Sequence, residues 1–244
     1  MNRSFLIPAL ALAVALAGVT IAAQRRDVFV GSRSDPAIQY PSAPANDAVT
    51  ALVRRLEEGK ARLAFDETSG YLRSVLDELD VPVDSQMPVF SQTSFQGPDI
   101  NIHNPRALYF NDTAAVGWVR GGDILELAAV DPKQGVIFYQ LEQKPSERPQ
   151  ITRNDQCLAC HLSWETLAVP GFVVQSVHPL PDEKSYVNGY TTVQGSPLEE
   201  RWGGWWVTGD HGGGRHMGNI PLVPPEKGEA PLEDPTRAIR SVAG

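Results

Sequence analysis

Five consecutive residues, Cys157-Leu158-Ala159-Cys160-His161, place two thiols three positions apart and an imidazole directly after the second. That order is the attachment sequence of c-type haem: the thiols add to the vinyl groups as thioethers, and the adjacent imidazole becomes the proximal iron ligand. The chain has two cysteines, and both lie in this run. Two other chemistries compete for them. A structural disulfide or redox dithiol suits an oxidising compartment but lacks the βαβ surroundings of thioredoxin-like proteins. A zinc site of Cys157, Cys160, His211 and His216 has a 50-residue interval before His211, far longer than zinc fingers use.

A c-type haem iron has a sixth position, and the candidates for it are His103, His178, His211, His216, Met87 and Met217. Three of these fall in the segment from Arg201 to Asn219, with Trp202, Trp205 and Trp206 and a run of glycines. Tryptophans can wall a flat macrocycle, and glycines let backbone approach it closely, so the distal side is expected here. His216 and Met217 are adjacent and point opposite ways in extended chain, so one of them at most would ligate. Met217 would give a His/Met site, whereas His216 or His211 would give a bis-His site of lower potential. His103, which precedes Asn104-Pro105, and His178, directly before Pro179, are expected as turn histidines. Arg106, Arg120, Arg153, Arg201 and Arg215 can pair with haem propionates. Arg201 and Arg215 rank first because they flank the tryptophans.

The elements that must position these residues follow from periodicity. Residues 24–45 carry Ser, Pro and charge without an apolar period and are expected as a linker or arm with little core. Asn46 or Asp47 can cap a helix with Val49, Leu52, Val53 and Leu56 on one face, broken at Gly59. Ser69 can cap a second with Leu72, Val75, Leu76 and Leu79, ended by Pro82. Short β-branched and aromatic runs then follow at 108–110, 116–120, 124–130 and 136–142, separated by turn-forming residues, and predict an antiparallel meander. In the last run Ile137, Tyr139 and Leu141 alternate with Phe138, Gln140 and Glu142, which gives one face to a core and leaves the other wetter. Asn154 or Asp155 can cap the turn carrying Cys157 to His161. The expected class is α+β: helices over 46–80, a sheet over 107–143 and a haem region over 154–219 in one domain spanning 46–219, then a Pro-rich, charged tail at 220–244.

The 244 residues suffice for one large domain, and 42% hydrophobic content is ordinary for a packed protein. With 21 glycines and 20 prolines, turns should be plentiful and long helices few. A net charge of −8 repels nucleic acid and anionic membrane surfaces. At the N-terminus, Arg3 precedes an uncharged stretch from Phe5 to Ala23, with small residues before Gln24 that suit cleavage. This reads as an export signal at 1–23. Its 19 uncharged residues are also long enough to serve as an anchor if kept. Export agrees with covalent haem, which bacteria attach outside the plasma membrane.

A succession of short motifs carries a resemblance. Thr93-Ser94-Phe95-Gln96, the run from Pro105 to Asp112, Val116 to Val119, Glu126 to Pro132, the Cys157 to His161 motif, Val169-Pro170-Gly171 and the Trp202 to Asn219 segment occur in this order. Over residues 86–219 the chain resembles a family of exported bacterial proteins described as cytochrome c domain-containing, with a single haem motif. The resemblance implies haem at Cys157, Cys160 and His161, directs attention to the His211 to Met217 region, and assigns no reaction. The small class I cytochromes c are a poor match, because more than 100 residues, mostly expected sheet, precede the haem motif.

The expected function is electron transfer in the periplasm by a monohaem c-type cytochrome, with redox proteins as partners and no nucleic acid. The alternative is a haem enzyme or small-ligand sensor, in which the sixth position is open and Asp210, His211 or Arg215 orients the ligand. A zinc or disulfide structural protein is a third, weaker reading.

Overall fold

A computed structural model describes residues 31–177, 189–209 and 214–219. Four strands form where the alternating runs predict them: β2 (Arg106–Phe110), β3 (Ala114–Trp118), β4 (Ile124–Asp131) and β5 (Gly135–Glu142). Two three-residue strands, β1 (Met87–Val89) and β6 (Ile151–Arg153), complete a six-stranded antiparallel sheet in strict sequence order. These two are too short to show a period, and Pro88 is tolerated because β1 lies at the sheet edge. With helices α1 (Ala48–Glu57) and α2 (Leu72–Glu78), the chain is α+β. Its six-stranded sheet is not the standard class I cytochrome c architecture.

The hairpins are closed by short polar side chains that satisfy turn backbone. Asn111 Oδ1 accepts from the Thr113 and Ala114 amides at 2.8 Å each, between β2 and β3. Between β4 and β5, Asp131 Oδ1 accepts from Lys133 and Gln134, and its Oδ2 accepts from the Asn46 amide at 2.6 Å. Burial pushes the Asp131 carboxyl up, but these three backbone donors outweigh it and hold the group below its ordinary value. One carboxylate thus closes the turn and fixes the chain entering α1.

Strand pairing puts alternate residues on opposite faces. On one face Val116, Leu125, Leu127, Ile137 and Leu141 are buried with Val49, Leu52, Val75 and Leu76 of the helices, forming the larger part of a core that also takes in Phe138, Leu158 and Leu162. Each such side chain contributes about 1.5–3 kcal/mol of burial. Asp47 caps α1 by accepting from the Thr50 amide at 2.9 Å, and Tyr139 donates to the same carboxylate at 2.5 Å. Helix and sheet are therefore joined by a satisfied polar contact inside the apolar layer.

Two expectations are corrected. Ser69 does not cap α2: its hydroxyl bonds to Asp66, and Tyr71 occupies the cap position without a side-chain bond. Residues 31–45 take the ordered-arm alternative, and against the expectation of little core they supply a buried side chain. Tyr40 is wholly buried, the Arg153 guanidinium lies 3.9 Å from its ring centre, and Arg33 pairs with Asp155 at 3.1 Å. Ser32 also donates to the Ala168 carbonyl, so the arm is laid against the segment that carries the thiols. A single aromatic in a polar stretch gives no period, and this packing was invisible in sequence. The apolar stretch at 1–23 and the tail at 220–244 lie outside the described residues.

Candidate functional site

The thiols sit on a short helical turn that follows β6. Asn154 opens it by accepting from the Gln156 amide at 3.0 Å, and Asn154 Nδ2 donates to Gln140 on β5 at 2.9 Å. A 3₁₀ turn, Asp155–Cys157, leads into α3 (Leu158–His161), whose Leu158 is buried in the main core. Leu158 pins the turn; Cys157 is half-buried and Cys160 exposed, both as free thiols. Burial, and then the Glu126 charge, push the Cys157 thiol up to about 11. A thiol held protonated at neutral pH lacks the activated sulfur that a redox dithiol needs.

His161 is oriented on two sides. Its Nδ1 lies 2.9 Å from the Gly171 carbonyl, and its ring centre lies 4.5 Å from that of Phe138 on β5. A carbonyl can only accept, so Nδ1 carries the proton and the lone pair is on Nε2. Burial lowers the imidazole's proton affinity, and the Arg106 charge lowers it further, which keeps the ring neutral. A neutral imidazole with Nε2 available, one residue beyond a pair of free thiols on the same turn, matches the donor chemistry of covalent haem.

On the same face of the sheet lies a polar group that periodicity did not reveal. Arg106 Nη1 bonds Glu126 Oε2 at 2.9 Å, while Glu126 Oε1 accepts from Ser94 at 2.6 Å and Gln96 at 3.1 Å. Both charges act on His161. The residues appear in short motifs of the sequence, but nothing there shows that positions 20 apart are paired.

The tryptophan segment docks on the free edge of β1. Phe90 donates to the Gly204 carbonyl at 2.7 Å, Trp206 donates to Pro88 at 3.0 Å, and Val89 bridges Trp205. Gly204 is required there: its φ is +83°, and a Cβ would fall 2.4 Å from Ser91 Cβ. Trp202 and Trp205 meet edge to face with ring centres 5.9 Å apart, and the Trp205 indole donates to the Gln175 carbonyl at 2.7 Å. Residues 171–177 thus connect the two halves, bonding His161 at one end and Trp205 at the other.

His216 and Met217 are both buried in this segment. Gly218 N–H donates to His216 Nδ1 at 3.0 Å, so the neutral ring carries its proton on Nε2, and ligation by His216 requires this bond to break. Met217 is anchored through its amide to the Arg201 carbonyl at 2.9 Å. Arg201 directs Nε and Nη2 to the Ser196 and Gln194 carbonyls, which makes it a loop clamp; Arg215 is exposed. His103 is exposed in the Asn101 to Asn104 turn. Asp210, His211 and His178 lie outside the described residues. Among the described residues no cluster of three or more His, Cys, Asp or Glu is arranged to hold a metal ion, and no helix is long and apolar enough to cross a membrane.

No family model, curated protein or solved structure matches this chain.

Proposed function

We propose that the chain is an exported monohaem c-type cytochrome that transfers electrons to and from redox proteins, with haem c joined to Cys157 and Cys160 and ligated by His161. The observation that carries this reading is the orientation of His161, whose Nδ1–H is held by the Gly171 carbonyl while Nε2 is left to ligate beside two free thiols. When bound, haem c supplies an iron that cycles between Fe(III) and Fe(II). The chain's own residues attach it and fix the imidazole plane. Phe138 backs the His161 ring, and the hydrogen bond from Nδ1 raises the electron donation of Nε2. The net charge of −8 favours basic protein partners and opposes nucleic acid.

Production with haem-maturation machinery tests the attachment. Wild type is expected to retain haem after acid-acetone extraction, and the Cys157→Ala/Cys160→Ala variant to lose it; retention in the variant sinks the assignment.

One observation favours a second reading, a haem enzyme or small-ligand sensor. The bond from Gly218 to His216 must break before His216 can ligate, which disfavours one candidate for the sixth position. Oxidised and reduced spectra separate the two. A low-spin iron unaffected by CO identifies the carrier, and a high-spin iron that binds CO promptly identifies the open site.

A further inference from the structure

On the sheet face that carries His161, the strand register sets Trp205, Val89 and Arg106 abreast: Trp205 bridges Val89, and Val89 pairs with Arg106. Paired residues of antiparallel strands project to the same side. Arg106 therefore stands between the tryptophan segment and the Glu126 position on β4, at the floor of the face on which the thiol turn rests.

The guanidinium is held there from one side. Nη1 is bonded to Glu126, and the pair is largely covered, with 15% and 25% of the two side chains exposed. Nε is buried and has no hydrogen-bond partner among the described residues. Leaving such a donor unmet is unfavourable. The Glu126 carboxylate does not turn to meet it, because Oε1 is already taken by Ser94 and Gln96. Gly117 lies beneath: a Cβ there would come within 3.0 Å of Glu126 Oε2, so the floor is kept low where the pair lies. The edge of the guanidinium that bears Nε and Nη2 is the fork that takes a carboxylate side-on. The two arginines favoured in sequence are less suited, Arg201 being tied to loop carbonyls and Arg215 exposed.

We infer that Arg106, through the guanidinium edge bearing Nε, anchors a carboxylate bound beside His161, which on the reading proposed above is a haem propionate. Glu126, Ser94 and Gln96 are positioning residues that fix the guanidinium from the other side. The inference rests on haem attachment, and its test separates the two.

The experiment uses the full haem-loaded chain and measures the reduction potential against pH together with the propionate bands of the resonance Raman spectrum. In wild type the propionate stays ionised beside Arg106, and the potential is flat across the neutral range. In Arg106→Gln the propionate loses its counter-charge, its proton affinity rises, and the potential falls with rising pH with a slope approaching one proton per electron. The propionate bands shift in the same variant, and shift by a smaller amount in Glu126→Gln, which loosens the guanidinium without removing it. If Arg106→Gln does not accumulate, Arg106→Lys keeps the charge and removes the fork, and a shifted propionate band with a nearly flat potential is expected. Haem that remains attached while the bands and the pH profile are unchanged overturns the inference, as does a uniform offset in potential with unmoved bands, the signature of a remote charge or an ordered water. A wild-type chain that takes no covalent haem overturns the proposed function itself, and this inference with it.

Discussion

Along β5, Ile137, Tyr139 and Leu141 enter the core shared with α1 and α2, while Phe138 and Gln140 of the same strand meet His161 and Asn154. The helix-covered face is mostly apolar, and in its Asp47, Thr50 and Tyr139 contact each polar group has a partner. The opposite face carries a charged pair, a guanidinium nitrogen with no partner among the described residues, and the turn bearing the thiols. A period of two in one strand thus turns one set of side chains to the helices and the other to the thiol turn. The first face is closed over by the two helices, whereas the second carries the thiol turn and the Arg106 and Glu126 pair.

Core truncation should break this contrast most strongly. Leu125→Ala, at a fully buried position, is expected to cost about 3 kcal/mol in urea unfolding, and Leu108→Ala on the other face, which is only partly buried, about a third of that. Equal losses would show that both faces are packed alike. Next in size is the polar tie of the covered face. Asp47→Ala removes a helix cap and the acceptor of Tyr139 and should cost about 2 kcal/mol, against about 1 kcal/mol for Tyr139→Phe.

The Asp131 turn predicts a pH dependence. Its carboxyl is held below the ordinary value in the folded state, so its contribution is full above the unfolded carboxyl's range and is lost as pH falls through the folded value. Stability measured in acid should decline less steeply in Asp131→Asn than in wild type, from a lower starting point. The smallest effect is expected on the other face. Arg106→Gln should change stability by about 1 kcal/mol, since Ser94 and Gln96 still bond the Glu126 carboxylate and the unmet Nε donor is removed with the guanidinium. A large loss would make the pair a stability element and weaken the contrast.

The meander was legible because each central strand alternates over five to eight residues and is bounded by Asn, Asp, Gly or Pro. The cap at Asp47, the break at Gly59 and the cap at Asn154 were equally local. The edge strands were not, since three residues define no period. Nor was the docking of Tyr40, whose contacts to Arg153 lie more than a hundred positions away.

By itself, the sequence determined the α+β class, the central strands, and the thiol and imidazole run whose order prescribes an attachment chemistry. Only the tertiary structure decided what surrounds that run. Gly171 selects the His161 tautomer, Gly218 bonds His216, and Ser94, Gln96 and Glu126 hold Arg106. Local order is encoded in neighbouring residues, because propensity, capping and alternation act over a few positions. Tautomer, burial and charge pairing depend on which distant groups the fold brings within hydrogen-bond reach, and no spacing along the chain records that.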